Sequence, residues 1–467
     1  MLLLLISSAW ASSLDNLEVG GPWGTPTASD ATALWWNPAG MAMGSGTRVM
    51  FDLERAVATV NYDRVDPYNG GLDVYETFGN IPFGGVVTDF GVEGLGVGFG
   101  VAVPIARGGE EKVAGGTGAS HMIMGATQQP NAMVAAAYSP HPAISLGVTG
   151  MVVKGVWEGI TSFQNVTDLD ANISALGQES GYTDEMIEDP AYAAIVKYDP
   201  LEATAFRAAL GLASRPVEEL ELGASWVFGT TLTHSGGVTL YFSCPPQSDT
   251  LGRFGAEAYG ICDETIKASS TVTFNIPHRL RLGAAYTFAD TVRAELMGGW
   301  TGWATHDGFD IVMKDTAKLN ELSNEETSAL IEKDRSWARD NQNATWFALD
   351  TKTYVKERWT FGARVLHDRA AVPDSTLSPN NYDANTTTVT GLVAVHILDQ
   401  LEIGLRGTKY FVATRVVTDS AYAVTLDEAN AVDPEYFYPQ MNGTYDSDIT
   451  RFGLTVRGHF GGKNQEE

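Results

Sequence analysis

Along most of the chain, apolar residues fall on every second position. Over 95–105 the odd positions hold Leu95, Val97, Phe99, Val101, Val103 and Ile105, separated by Gly96, Gly98, Gly100, Ala102 and Pro104. Phe452, Leu454 and Val456 alternate with Arg451, Thr455 and Arg457, and Leu401, Ile403 and Leu405 with Glu402, Gly404 and Arg406. A period of two puts one face of an extended strand in apolar surroundings. In water that face needs a second sheet. In a bilayer it faces lipid, and small or charged side chains face a lumen. Fourteen such strands begin near 48, 81, 95, 131, 144, 201, 219, 266, 291, 343, 358, 386, 401 and 447. Short turns at 138–142, 215–219, 288–291, 355–358 and 398–400 alternate with long connections at about 158–200, 243–267, 314–342, 369–385 and 417–447. An even strand number with this asymmetry predicts an all-β fold, a 14-stranded antiparallel transmembrane β-barrel over 47–460. Aromatic residues near segment ends (Tyr62, Trp157, Trp226, Phe228, Trp300, Trp303, Trp346, Trp359, Tyr410 and Phe460) are expected to form its interfacial girdles.

Composition narrows the choice. No stretch approaches the roughly 20 consecutive apolar residues of a spanning helix, and the mean hydropathy is −0.08. A barrel of alternating strands has that average. A net charge of −27 excludes a nucleic-acid partner, because phosphate binding needs clustered cations. Residues 1–11 form a short apolar run ending Ala9-Trp10-Ala11, an export signal cut before Ser12. It lacks a basic start, so the expectation is an incomplete signal peptide or a misassigned start codon. In an exported chain, Cys244 and Cys262 most simply form one loop disulfide. No histidine lies near enough to favour zinc.

No catalytic, metal or cofactor motif stands out. The eight histidines are scattered, and the nucleophile elbow G-x-S-x-G is missing. Gly94 to Gly100 is glycine alternation in a strand rather than a phosphate loop. His459 has inward parity and reads as an ordinary lumen residue. The long connection at 314–341 has helical spacing with a capping box at Ser323-Asn-Glu-Glu326, and 168–196 mixes helix formers with apolar positions. The segment 12–46 is different. It lacks strand alternation yet carries Trp23, Trp35 and Trp36, whose rings need cover, and the barrel lumen is one place to find it.

Ala28-Ser-Asp-Ala-Thr-Ala-Leu34, followed by Asn37-Pro38-Ala39-Gly40-Met41, resembles the amino-terminal signature of the FadL/TodX outer-membrane transporters. Phe274-Asn-Ile-Pro277, Trp300-Thr-Gly-Trp303, Trp359-Thr-Phe361 and Val372-Pro373 are similar to later segments of the same family. The resemblance implies an amino-terminal hatch (12–46, with Asp30, Trp35, Trp36, Asn37, Pro38 and Ala39) plugging the lumen. It implies passive uptake of long-chain fatty acids or hydrocarbons, captured on loops, bound in the lumen and released sideways at a kink in the third strand. Pro104, with Gly108 and Gly109, matches that kink. It further implies a monomer in outer-membrane lipid and lipopolysaccharide. Candidates for a ligand carboxylate are the inward-pattern residues Arg279, Arg281, Arg364, Arg406, Arg451 and Arg457, most of which are expected to pair with lumen acids such as Glu402. The family's basic ligand residues have no positional match in this chain, and Phe460 stands for its terminal aromatic residue with a tail, 461–467, beyond it. A water-filled porin for small polar solutes and a structural or adhesin barrel are the alternative readings.

Overall fold

The computed structural model describes residues 17–65, 71–111, 123–164, 193–242, 265–314, 335–356, 358–420 and 441–461. They form a closed antiparallel barrel of fourteen wall strands. These are β1 (Thr47–Arg64), β2 (Leu72–Thr88), β3 (Leu95–Ala102, then Ala106–Glu111), β4 (Met124–Gln128, then Asn131–His141), β5 (Ile144–Gln164), β6 (Ala193–Val217) and β7 (Leu220–Val227, then Thr230–Phe242). The others are β8 (Thr265–Ile276, then Arg279–Phe288), β9 (Val292–Thr301, then Gly308–Lys314), β10 (Arg335–Ala338, then Ala344–Val355), β11 (Trp359–Asp368), β12 (Thr386–Leu398), β13 (Leu401–Val412) and β14 (Gly443–Phe460). Each pairs with the next, and β14 returns to β1 from Thr47↔Phe460 to Arg64↔Gly443. Closure satisfies the backbone without an exposed edge. No helix among the described residues is long and apolar enough to cross a membrane.

The alternation works as expected over one height of the wall only. On β6, Phe206, Leu210, Leu212 and Val217 point outward, Phe206 with 75% of its surface exposed, while Arg207 points inward. At about 3.3 Å per residue and a tilt near 40°, Phe206 to Val217 spans about 28 Å of barrel height, which matches a bilayer's hydrocarbon core. Beyond Phe206 the sense reverses. Thr204, Glu202 and Lys197 face out, and Leu201, Tyr198 and Val196 face in. β1 repeats this on the other side of the barrel, with Asp52 and Glu54 inside and Phe51 and Val57 outside, then Val60 and Tyr62 inside and Asn61 and Asp63 outside. The strands therefore project beyond the bilayer as a collar, wet outside and apolar inside.

That collar accounts for the boundaries placed too short from sequence. β2 begins at Leu72 and β6 at Ala193, well ahead of the expected 81 and 201. It also corrects the girdle. Tyr62, Trp157, Trp303, Trp346 and Tyr410 are buried inside, whereas Phe228, Trp359 and Phe460 are exposed, joined by Phe90, Tyr138, Phe288, Phe347 and Phe411. Nearness to a segment end does not fix the face; parity does. The helix expected over 314–341 is contradicted where it is described, since Arg335–Ala338 is a strand paired with Gly308–Ile311. Residues 1–16, 165–192, 243–264 (with Cys244 and Cys262) and 462–467 lie outside the described residues, and with them the signal, the disulfide and most of the tail.

Candidate functional site

Residues 17–43 lie inside the barrel as short turns of helix: Gly21–Trp23, Ala33–Trp36 and Pro38–Met43. Trp35, Trp36, Leu34 and Asn37 have essentially no exposed surface. Asn37 explains the signature. It ends one helical turn and begins the next, accepting from the Ala39 amide (3.3 Å) and donating to the carbonyls of Pro26 (2.8 Å) and Leu212 on β6 (3.0 Å). Pro38 then needs no amide partner at the first helical position. Ser145 of β5 donates to the Ala39 carbonyl at 2.7 Å, and Ser225 of β7 to that of Trp36 at 2.6 Å.

The wall makes room with glycine. Gly147 and Gly211 stand opposite each other on β5 and β6, as do Gly223 and Gly283 on β7 and β8. A Cβ on Gly147 would come within 2.4 Å of the Ala39 nitrogen, and one on Gly211 within 2.2 Å of Asn37 Oδ1. On Gly223 it would meet the Pro26 carbonyl oxygen at 2.1 Å. Backbone thus lies on backbone.

The arginines singled out from sequence are all brought into the lumen, where they hold the segment or pair with wall acids. Arg364 donates to Asp350 (3.0 Å) and to the carbonyls of Gly21 and Gly24 (both 3.0 Å). Arg457 bridges Asp30 and Glu402, both at 3.0 Å, and its guanidinium lies 3.8 Å from the centre of the Trp23 ring. Arg281 donates to the Trp35 carbonyl and stacks on Trp35 and Trp36, with Arg279 over the same Trp35 ring. Arg406 binds Asp52 (2.9 Å) and Glu54 (3.3 Å), and Arg451 lies 3.7 Å from Glu54 and over Tyr410. Asp30 also accepts from the Thr32 amide and hydroxyl. Sequence reasoning missed Glu18, which accepts from Tyr410 (2.9 Å) and Thr390 (2.8 Å), and Arg48, which donates to the Met41 carbonyl (2.8 Å). Charges buried this deeply persist only with such partners.

The second feature is a break in the wall. β2 and β3 pair in register from Thr88↔Val97 to Phe83↔Ala102, and again at Glu76↔Glu110 and Tyr75↔Glu111. Between these points no ladder pairing joins them among the described residues. Ala102 to Glu111 is nine steps, Phe83 to Tyr75 only eight, so β3 carries one extra residue. Its pairing with β4 slips by the same single residue between Ala102↔Asn131 and Ala106↔Gln128. There, however, the Gln129 amide still donates to the Ile105 carbonyl at 2.8 Å. The gap is therefore one-sided and faces β2. Pro104 sits at the insertion, where it brings no amide to the ladder. Val103, Pro104 and Ile105 are all buried, so the chain dips inward, and the outward positions expected for Val103 and Ile105 are corrected. Gly108 and Gly109 follow on β3 and are buried as well.

The third feature is the inner face of the collar over β5–β9. Its rings run from Tyr198 to Trp157 (centroids 5.0 Å apart), Phe309 (6.3 Å), Phe274 (5.0 Å) and His234 (5.0 Å). Leu201, Leu232, Val238 and Ile311 are packed with them. No groups of His, Cys, Asp and Glu suited to a metal occur among the described residues.

A closed barrel of fourteen antiparallel strands is the architecture the resemblance implied. The family model for outer membrane protein transport proteins (OMPP1/FadL/TodX) matches residues 23–460. The chain belongs to this family. It is thus an outer-membrane transport protein, not an enzyme. Among solved structures, a FadL homologue of Pseudomonas aeruginosa is 16% identical with a TM-score of 0.73, the match covering 98% of this chain and 100% of that one. The toluene transporter TodX of Pseudomonas putida is 14% identical with a TM-score of 0.67, covering 96% and 99%. The monoaromatic hydrocarbon channel CymD is 14% identical with a TM-score of 0.60, covering 92% and 93%. At these identities the likeness is one of fold. No curated protein matches the chain in sequence. Against the FadL/TodX pattern, the Asn-Pro-Ala triplet is the part most directly explained by geometry, since each of its residues meets a glycine or a serine of the wall.

Proposed function

We propose that this outer-membrane transporter of hydrophobic compounds passes long-chain fatty acids or apolar molecules of similar character inward without an energy source, and releases them sideways through the gap between β2 and β3. The observation that carries the reading is the single inserted residue at Val103-Pro104-Ile105, which leaves β2 and β3 without ladder pairing between Phe83↔Ala102 and Glu76↔Glu110. Three others support it. The collar's aromatic inner face offers a dry surface above the bilayer, where each buried methylene gains about 0.8 kcal/mol. The segment 17–43, read as a hatch within 12–46, closes the straight route to the periplasm. The toluene transporter TodX and the monoaromatic hydrocarbon channel CymD, which share the fold, point to the same substrate class.

The molecule works as a monomer among outer-membrane lipid and lipopolysaccharide. It is tested by purification in mild detergent and native mass spectrometry, with a general porin as control. A stoichiometric fatty acid or hydrocarbon is expected. An empty barrel that conducts ions in a planar bilayer would overturn the reading in favour of a porin for polar solutes.

A further inference from the structure

The outer face of the collar is unevenly charged. The chain carries a net charge of −27, and the side formed by β1, β13 and β14 shows it. Asp63, Asp446 and Asp448 are exposed there, and the one lysine beside them, Lys409, is taken up by Asp448. The side formed by β6–β9 is different. Lys197 of β6, Lys267 of β8 and Lys314 of β9 are all exposed, and none of the three forms an ion pair among the described residues. Lys154, lower on β5, is already held by Glu202.

The ladder brings the three together. Lys197 and Thr239 are direct cross-strand partners, and Thr239 pairs on its other side with Lys267, so the two lysines stand in one row. Lys314 pairs with Ser269, the next same-face position below Lys267. From strand spacing and rise, the Lys267 Cα lies about 10 Å from that of Lys197 and about 8 Å from that of Lys314. Each ammonium group rides on a flexible four-carbon stem, so all three can close on one anionic group between them. Ser269 and Thr271 add hydroxyls to the same face.

Height decides which anion the row meets. Phe206 marks the outer edge of the hydrocarbon, and Lys197 lies nine residues further along β6, about 20 Å higher at the rise and tilt of the strand. Phospholipid headgroups extend only about 5–8 Å beyond the hydrocarbon. At the level of the lysines, the fixed anions outside an outer membrane are the phosphates on the core sugars of lipopolysaccharide. Unpaired ammonium groups spaced along a wall there do what divalent cations do between neighbouring glycolipids.

We propose that Lys197, Lys267 and Lys314 bind the phosphorylated core of a lipopolysaccharide molecule and seat it against the β6–β9 side of the collar. The inference rests on the outer-membrane setting and not on the seam. The test measures binding of fluorescently labelled rough-type lipopolysaccharide to the full-length protein in mild detergent. Lys197→Gln/Lys267→Gln/Lys314→Gln is expected to weaken binding roughly tenfold, and Lys197→Arg/Lys267→Arg/Lys314→Arg to retain it. Lipopolysaccharide stripped of its core phosphates is expected to bind the native protein as weakly as the phosphorylated form binds the glutamine variant. Lys409→Gln, which removes a cation already paired, is the control and leaves binding as it was. Native affinity in the glutamine variant, or equal affinity for the two glycolipids, would overturn the proposal. Phosphatidylglycerol binding with the same dependence on the lysines would overturn it too, in favour of ordinary anionic lipid. Uptake of a fluorescent fatty acid by the glutamine variant is expected at the native rate, so the lysine row and the transport reading fail separately.

Discussion

Asp350 and Arg364 are direct cross-strand partners on β10 and β11, and both side chains are wholly buried in the lumen. Their pairing leaves Arg364 free to give its two terminal nitrogens to the Gly21 and Gly24 carbonyls. A wall carboxylate orients a wall guanidinium, which then grips backbone, so the grip is indifferent to the side chains of the segment it holds. Arg364→Met is expected to release that turn and leave Asp350 with Lys352 alone (3.0 Å). Removing one partner of a buried pair costs about 3–5 kcal/mol. In planar bilayers the variant is expected to conduct ions where the native protein does not, and native-like conductance would show that Arg364 is not a principal anchor.

The glycine seat makes a sharper demand, because the atoms it meets are backbone or a fixed amide. Gly211→Val puts a Cβ against Asn37 Oδ1, and Gly147→Val against the Ala39 nitrogen. Neither neighbour can swing away, so the segment itself must lift, at a cost of about 1–3 kcal/mol. Trp35 and Trp36 are expected to become quenchable by acrylamide while the barrel still assembles. Gly391→Val on β12, where an added Cβ meets nothing within 4 Å, is the matched control. Equal quenching in all three would discard the seat.

Much of this was legible in the chain. The strand count and order followed from period-two alternation, which a lipid-facing wall must show, as Phe452 against Arg451 and Leu405 against Arg406 do. Asn37-Pro38-Ala39 stood out in a stretch without strand alternation, and Pro104 in a stretch that has it. What stayed hidden has physical causes. Above the bilayer the alternation persists with its sense reversed, so Trp157 and Tyr62 read as girdle residues while they line the lumen. The insertion at 103–105 cannot be read from β3 alone, because register is a property of neighbouring strands. Gly147 and Gly211 carry no local signal, since their role depends on a segment more than a hundred residues away.

His234, inside the collar on β7, bears on the acid behaviour of the vestibule. Burial pushes its imidazole down to about 4, against a smaller upward pull from the Val272 carbonyl. The facing neighbours from β8 and β5 are Phe274, stacked on the ring at 17°, and Gly155. An unfolded histidine titrates near 6.5. Between the two values the opened strand binds a proton that the folded one refuses, so stability is complete above about pH 6.5 and falls as pH drops toward 4. Hydrogen exchange, corrected for its intrinsic pH dependence, is expected to show protection of 230–242 and 265–276 dropping from pH 7 to pH 5. The segments at bilayer height are expected to hold. His234→Phe should keep the collar's protection at pH 5, and an equal drop in that variant would assign the effect to another group.

Deleting Pro104 is the most direct test of the seam, and the register says why one residue suffices. Relative to Phe83↔Ala102, the pair Tyr75↔Glu111 is late by one, and relative to Ala102↔Asn131, Ala106↔Gln128 is late by one. Removing one residue brings β3 into step with both neighbours at once, and the row from Ala102 to Glu111 can zip to β2 as a regular ladder. Pro104→Val only restores an amide. The extra residue stays, the bulge stays, and uptake is expected to fall modestly. The deletion is expected to lower uptake of a hydrophobic probe by roughly tenfold or more, about 1.4 kcal/mol in the barrier, with binding of the same probe to the purified protein retained. Binding kept with transfer lost is the signature of a sealed exit; loss of both would point instead to a collapsed lumen.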